Sequence, residues 1–132
     1  MISNDYATYL TSLKWTHLAT IRPYYKLNEI NSESIGKNLL KSKKINKVFY
    51  VVEKDFNDNW YHMHLIMDSM YVTKAEILQR LGWNDSENTS KVVGYLQPIE
   101  DKKAVSSYCS KYIGKTALCH NFLIKNHERI KI

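Results

Sequence analysis

At 132 residues the chain is long enough to bury a sizeable core as one domain, residues 1–132, without disulfides. Cys109 and Cys119 form no CxxC pair, no signal-like opening precedes them and no apolar run approaches a membrane span, so reduced thiols in the cytoplasm and no membrane contact are expected. The net charge is +6 and sixteen of the nineteen basic residues are lysine, which favours a polyanionic partner such as nucleic acid.

In chain order, Tyr6, Tyr9, Leu10 and Leu13 recur at helical spacing behind possible caps at Ser3, Asn4 and Asp5, predicting a short packing helix over 5–13. Trp15 to Arg22 is β-rich and stops at Pro23, giving a first strand with Arg22 at its end. A helix over 33–44 follows. Lys37, Lys41, Lys43, Lys44 and Lys47, within and just after it, form a positive stripe with little acid nearby. Arg22, Lys37, Lys41 and Lys44 are the candidate phosphate contacts, weighed against a plainly solvated helix face.

Lys47 to Glu53 is a second strand, and the turn formers of residues 54–59 join it to Trp60-Tyr61-His62-Met63-His64-Leu65-Ile66-Met67, so the two make an antiparallel hairpin. Alternation sends His62 and His64 to one face, ~7 Å apart along the strand, and Tyr61, Met63, Leu65 and Met67 to the other. By the same rule Val48, Tyr50 and Val52 join the apolar face while Phe49, Val51 and Glu53 join the histidines. Two imidazoles on a rigid strand are half of a metal site, and Glu53 is the natural third ligand.

Thr73-Lys74-Ala75-Glu76 is a capping box, Val72 and Ile77 a hydrophobic staple and Gly82 a stop, which predicts a helix over 74–81. Lys91 to Gln97 is a further strand, ended by Pro98. The fold expected is α+β, an antiparallel sheet with a ferredoxin-like (RRM-like) βαββαβ core. Two helices cover one face and leave the histidine face open. Glu100 or Asp101 caps an extra helix over 102–115, on which Val105, Cys109 and Ile113 share an apolar side. Tyr108, Lys111 and Lys115 share the adjoining sector, with Tyr112 on the border. Residues 118–124 form a last strand before a basic tail.

With His62-Met63-His64 on a strand, upstream Glu53, and the overlapping units Tyr108-Cys109-Ser110-Lys111 and Tyr112-Ile113-Gly114-Lys115 on a later helix, the chain resembles the HUH endonucleases. Within them it is similar to the rolling-circle replication initiators (Rep proteins) of viruses, phages and plasmids. Roughly residues 15–125 carry the resemblance, each motif being weak alone and the order of the three specific. It implies a divalent ion, Mn²⁺ or Mg²⁺, held by His62, His64 and Glu53, and a tyrosine nucleophile that nicks single-stranded DNA at a replication origin and keeps the 5′ end as a phosphotyrosine. Lys111 or Lys115 would favour phenolate or hold the phosphate. Host helicase and polymerase are the implied partners, host cytoplasm the implied location, and monomer or homodimer both stay open. Tyr108, in the lysine sector, is preferred to Tyr112, and both acting in turn is the other option. Gly114-Lys115-Thr116 is not read as a nucleotide-binding loop, because its helical setting is wrong for one.

Other residues have plainer readings. His17, His120 and His127 are expected to be satisfied structural or surface histidines, and Cys109 to be packed. Two alternatives remain. A single-strand transposase of the same superfamily usually carries glutamine where this chain twice has lysine. A non-catalytic ferredoxin-like module would instead stack bases on exposed aromatics such as Phe49 and Trp60.

Overall fold

The computed structural model describes residues 4–55, 60–82, 89–111 and 117–125, with backbone only at 89, 90, 102 and 109–111. The elements in order are α1 (Asn4–Ser12), β1 (His17–Ile21), α2 (Glu29–Leu40), β2 (Ile45–Lys54), β3 (Tyr61–Ser69), α3 (Lys74–Arg80), α4 (Thr89–Val92), β4 (Val93–Pro98), α5 (Lys102–Lys111) and β5 (Cys119–Ile124). The fold is α+β. Its five strands form one antiparallel sheet in the order β4-β1-β3-β2-β5.

Alternation divides the sheet into two faces. Ala19, Ile21, Val48, Tyr50, Val52, Met63, Leu65 and Met67 form one apolar layer with Ile35 and Leu39 of α2 and Ile77 and Leu78 of α3. A Cβ at Gly36 would come within 2.6 Å of Leu123 and 3.3 Å of Tyr50, so the bare glycine is what lets α2 lie so close to the sheet. α3 carries its expected capping box between Thr73 and Glu76, and Gly82, at φ +93°, follows its C-cap.

The opposite face is covered too, which corrects the expectation of an open histidine face. α1 and α5 pack on each other and on that side of the sheet, where Ala7, Leu10, Trp15, Phe49, Val51, Ile66 and Val105 form a second core. Phe49 is fully buried and meets Tyr6 and Tyr108 edge-on, so it offers no stacking platform. An amphipathic helix leaves its stripe unburied unless it finds a partner, and α1 finds it here.

α2 begins at Glu29 rather than at 33, because Asn28 and Asn31 make a reciprocal capping box. It ends at Leu40, so Lys43, Lys44 and Lys47 lie beyond it. Among the described residues no helix is long and apolar enough to cross a membrane.

Candidate metal centre

The β2–β3 hairpin positions the centre. Its register sets Glu53 opposite His62 and Val51 opposite His64, and alternation turns Glu53, His62 and His64 to the α1/α5 face. The structure brings the three side chains together. Glu53 Oε1 lies 3.3 Å from His62 Nε2 and 3.4 Å from His64 Nε2, and the two Nε2 atoms are 3.0 Å apart. Donors bound at about 2.1 Å to one ion stand about 3.0 Å apart at octahedral angles and about 3.4 Å apart at tetrahedral ones. All three spacings therefore fit ligands of a single cation.

Two further side chains orient the imidazoles. His62 Nδ1 is hydrogen-bonded to Asp55 Oδ1, and Arg22 Nη1 donates to the same oxygen at 3.0 Å. Burial pushes the Asp55 carboxyl up, but the His62 hydrogen bond and the Arg22 charge outweigh it and hold the group below the ordinary carboxylate range. An ionised carboxylate only accepts, so His62 Nδ1 donates to Asp55, which fixes the ring with Nε2 toward Glu53 and His64. Thr20 Oγ1 reaches His64 Nδ1 at 3.3 Å. Where acceptors converge at this range, a cation relieves their repulsion, and the residues present fit a divalent one.

α5 brings in the tyrosine. Asp101 starts the helix, its Oδ1 accepting from the Lys103 N–H at 2.9 Å, and buried Val105 anchors it to the second core. One turn on, the Tyr108 ring lies edge-on to His64 with centroids 6.3 Å apart. Tyr108, placed in the lysine sector by helical spacing, also packs into the second core. It is partly buried against Phe49, and its hydroxyl oxygen is out of solvent. Tyr112 and Lys115 lie outside the described residues, as do Ile113 and His127 and the side chains of Cys109 and Lys111.

The remaining candidates are placed elsewhere. Lys37 belongs to α2, Lys41 is its C-cap and Lys44 follows it, on the layer across the sheet from the histidines. Acid that the linear stripe concealed meets two of them, Glu33 lying 3.4 Å from Lys37 and Glu76 2.7 Å from Lys44, while Lys41 is exposed. Arg22 is tied to Asp55. His17 shares a face with Ala19 and Ile21, away from the centre, and bonds Thr16 Oγ1 at 2.8 Å. His120 leans on Tyr6 and Phe49.

Sequence reasoning missed Asp55 and Thr20. Asp55 follows Glu53 by two residues, so alternation past the strand end was the signal that could have found it. Thr20 needs the β1–β3 register, which sets it opposite His64 and which no local pattern specifies. Comparison of the chain with protein-family models, curated proteins and solved structures gives no match.

Proposed function

We propose that the protein is a metal-dependent endonuclease of the HUH type, which nicks and rejoins single-stranded DNA at an origin and so initiates rolling-circle replication. The observation that carries this is the convergence of His62 Nε2, His64 Nε2 and Glu53 Oε1 beside a helix that lays Tyr108 against His64. Taken by themselves, β1, α2, β2, β3, α3 and β4 with the order β4-β1-β3-β2 read as a ferredoxin-like unit, to which β5 adds an edge.

A divalent ion held by Glu53, His62 and His64 would polarise the scissile phosphate and stabilise charge on its oxygens. Asp55 and Thr20 hold the imidazoles in place, and the protein's own nucleophile is a tyrosine. Its phenol loses a proton, its oxygen bonds to phosphorus, and the bond from phosphorus to the 3′ oxygen breaks. The products are a 5′-phosphotyrosine and, once the departing oxygen is protonated, a 3′ hydroxyl fit to prime synthesis. One phosphodiester replaces another, so no nucleotide cofactor is consumed and the reverse attack rejoins the strand. With its hydroxyl out of solvent, Tyr108 meets a phosphate only when α5 shifts with the strand in place, and Tyr112, four residues on in the sequence, is the other candidate. Host helicase and polymerase would supply unwinding and synthesis.

The test uses a pool of single strands labelled at the 3′ end, including the candidate origin, incubated with Mn²⁺ and run under denaturing conditions. Label should migrate with the wild-type protein and not with chelator, with His64→Ala or with the Tyr108→Phe/Tyr112→Phe double variant. The single tyrosine variants show which residue attacks. The buried Tyr108 hydroxyl favours one other account, a binding module without catalysis, and strand binding with no adduct under any divalent ion would establish it.

A further inference from the structure

The exposed aromatic side chains among the described residues are Tyr9, Tyr24, Tyr25, Trp60, Tyr71 and Tyr95. Tyr9 lies edge-on to Phe122, and Tyr71 follows β3 at the end of the sheet away from His62. Trp60 and Tyr95 are placed differently. Trp60 immediately precedes β3, and its carbonyl accepts from the Asp55 N–H at 2.8 Å, so the hairpin pairing continues through it. Alternation then carries Trp60 to the face of His62 and His64, ~7 Å from His62 along the backbone.

Tyr95 is fixed by register. It pairs with Thr20, and Thr20 pairs with His64, so Tyr95, Thr20 and His64 form one row across β4, β1 and β3 on the histidine face. Two strand spacings put the Tyr95 backbone ~10 Å from that of His64, with only a threonine between. The Tyr95 hydroxyl donates to Gln97 Oε1 at 3.0 Å, which ties the ring to its own strand. Trp60 is 40% exposed and Tyr95 41%, on a face where α1 and α5 bury Phe49 completely. Two large rings thus keep an exposed surface on either side of the donor set.

We propose that Trp60 and Tyr95 are stacking platforms for bases of a DNA single strand, holding the nucleotides on the two sides of the phosphate presented to Glu53, His62 and His64. The identity of the ligand rests on the nuclease reading above, but the placement of the rings does not. A single strand offers a flat π-face at every base and a charge at every phosphate, which matches aromatic rings set in a basic protein. Exposed Lys54 ends β2 at this end of the sheet and adds a local charge to the net +6, while Arg22, just after β1, is exposed but paired with Asp55. The strand would run from the hairpin end, past the histidines and over Thr20 to the β4 edge of the sheet. Stacking discriminates little between bases, so this track would hold the strand while leaving choice of sequence to other contacts.

The experiment measures anisotropy of a labelled pool of short random-sequence single strands, with chelator present so that no cleavage intervenes. Trp60→Ala and Tyr95→Ala should each weaken binding roughly 5- to 100-fold. Trp60→Phe and Tyr95→Phe, which keep a ring, should retain most of the affinity, and Tyr71→Ala should bind as the wild type does. Wild-type affinity in both alanine variants, an equal loss in Tyr71→Ala, or no strand binding by the wild type would each overturn the proposal. The adduct assay is read separately. An adduct with unchanged affinity in the alanine variants sinks the stacking and leaves the nuclease standing, while ring-dependent binding without adduct does the reverse.

Discussion

Met63 and Leu65 leave β3 on one side, His62 and His64 on the other, and the two faces they enter differ in what closes them. The α2/α3 face is closed by aliphatic side chains from every strand, in one continuous layer. The α1/α5 face is apolar only in its middle, around Phe49, Val51 and Ile66. At one end Lys47 and Asp68 pair at 3.0 Å with the Lys47 ammonium over the Trp15 ring, and at the other Glu53, Asp55, His62 and His64 cluster. A layer that is mainly apolar is held by close packing. A layer that gathers a carboxylate and two imidazoles at one end presents groups able to take up a ligand, and that difference separates a scaffold face from a candidate site.

Adjacent substitutions on β3 would break that division most directly. Leu65→Ala empties a fully buried position in the scaffold and should cost about 2–5 kcal/mol, read as a lower midpoint in chemical denaturation. His64→Ala removes a partly exposed imidazole bonded to Thr20 and His62 and should change metal-free stability by only about 1 kcal/mol. Added metal separates the two variants in a second way. Mn²⁺ at about a hundred times its dissociation constant should stabilise the wild type by about 2.7 kcal/mol, leave that gain intact in Leu65→Ala and give none in His64→Ala. If His64→Ala destabilises as much as Leu65→Ala without metal, the histidines are core residues and the division fails.

A smaller effect tests how the site is held. Asp55→Asn replaces an acceptor that keeps the proton on His62 Nδ1 with an amide that can turn its donor toward the ring. Manganese affinity by calorimetry should fall about 10- to 100-fold, with the fold's denaturation midpoint little changed. Equal affinity in the variant would show that Asp55 serves only to bond Arg22 and Trp60.

The difference between the faces also decides what could be read from sequence. Strict alternation over β2 and β3 makes the partition of Val48, Tyr50, Val52, Met63, Leu65 and Met67 from Glu53, His62 and His64 legible, because pairing through a tight hairpin leaves little freedom of register. The capping box of α3 is equally local. The cover of the second face is not local. α1 and α5 come from the two ends of the chain, and nothing in either helix says which sheet surface will bury its stripe. For the same reason the lysines after Lys37 read as a free stripe, when Glu33 lies one helical turn away and Glu76 is brought up by a different helix. The start of α2 was missed because Asn31 stands where a capping box usually has Glu or Gln.

The smallest effect concerns the seam between α2 and α3, on the scaffold side. Glu76 Oε2 accepts from Lys44 Nζ at 2.7 Å, while its Oε1 accepts from the Thr73 N–H at 3.0 Å. The Lys44 hydrogen bond foremost, then the Thr73 N–H, holds the Glu76 carboxyl below the usual range. A carboxyl whose folded pKa is depressed contributes stability that is fully present above its unfolded value and is lost as pH falls through the folded one. Glu76→Gln should therefore flatten the acid limb of the stability curve below the ordinary glutamate pKa and leave neutral stability slightly lower. Thr73→Ala, which removes the N-cap itself, should cost about 1 kcal/mol with little dependence on pH. Neither variant should change the manganese-induced stabilisation, because the seam and the histidines lie on opposite sides of the sheet. A metal response that moved with Glu76 would mean that the two faces are coupled through β2 and β3, and that the scaffold does more than hold the site still.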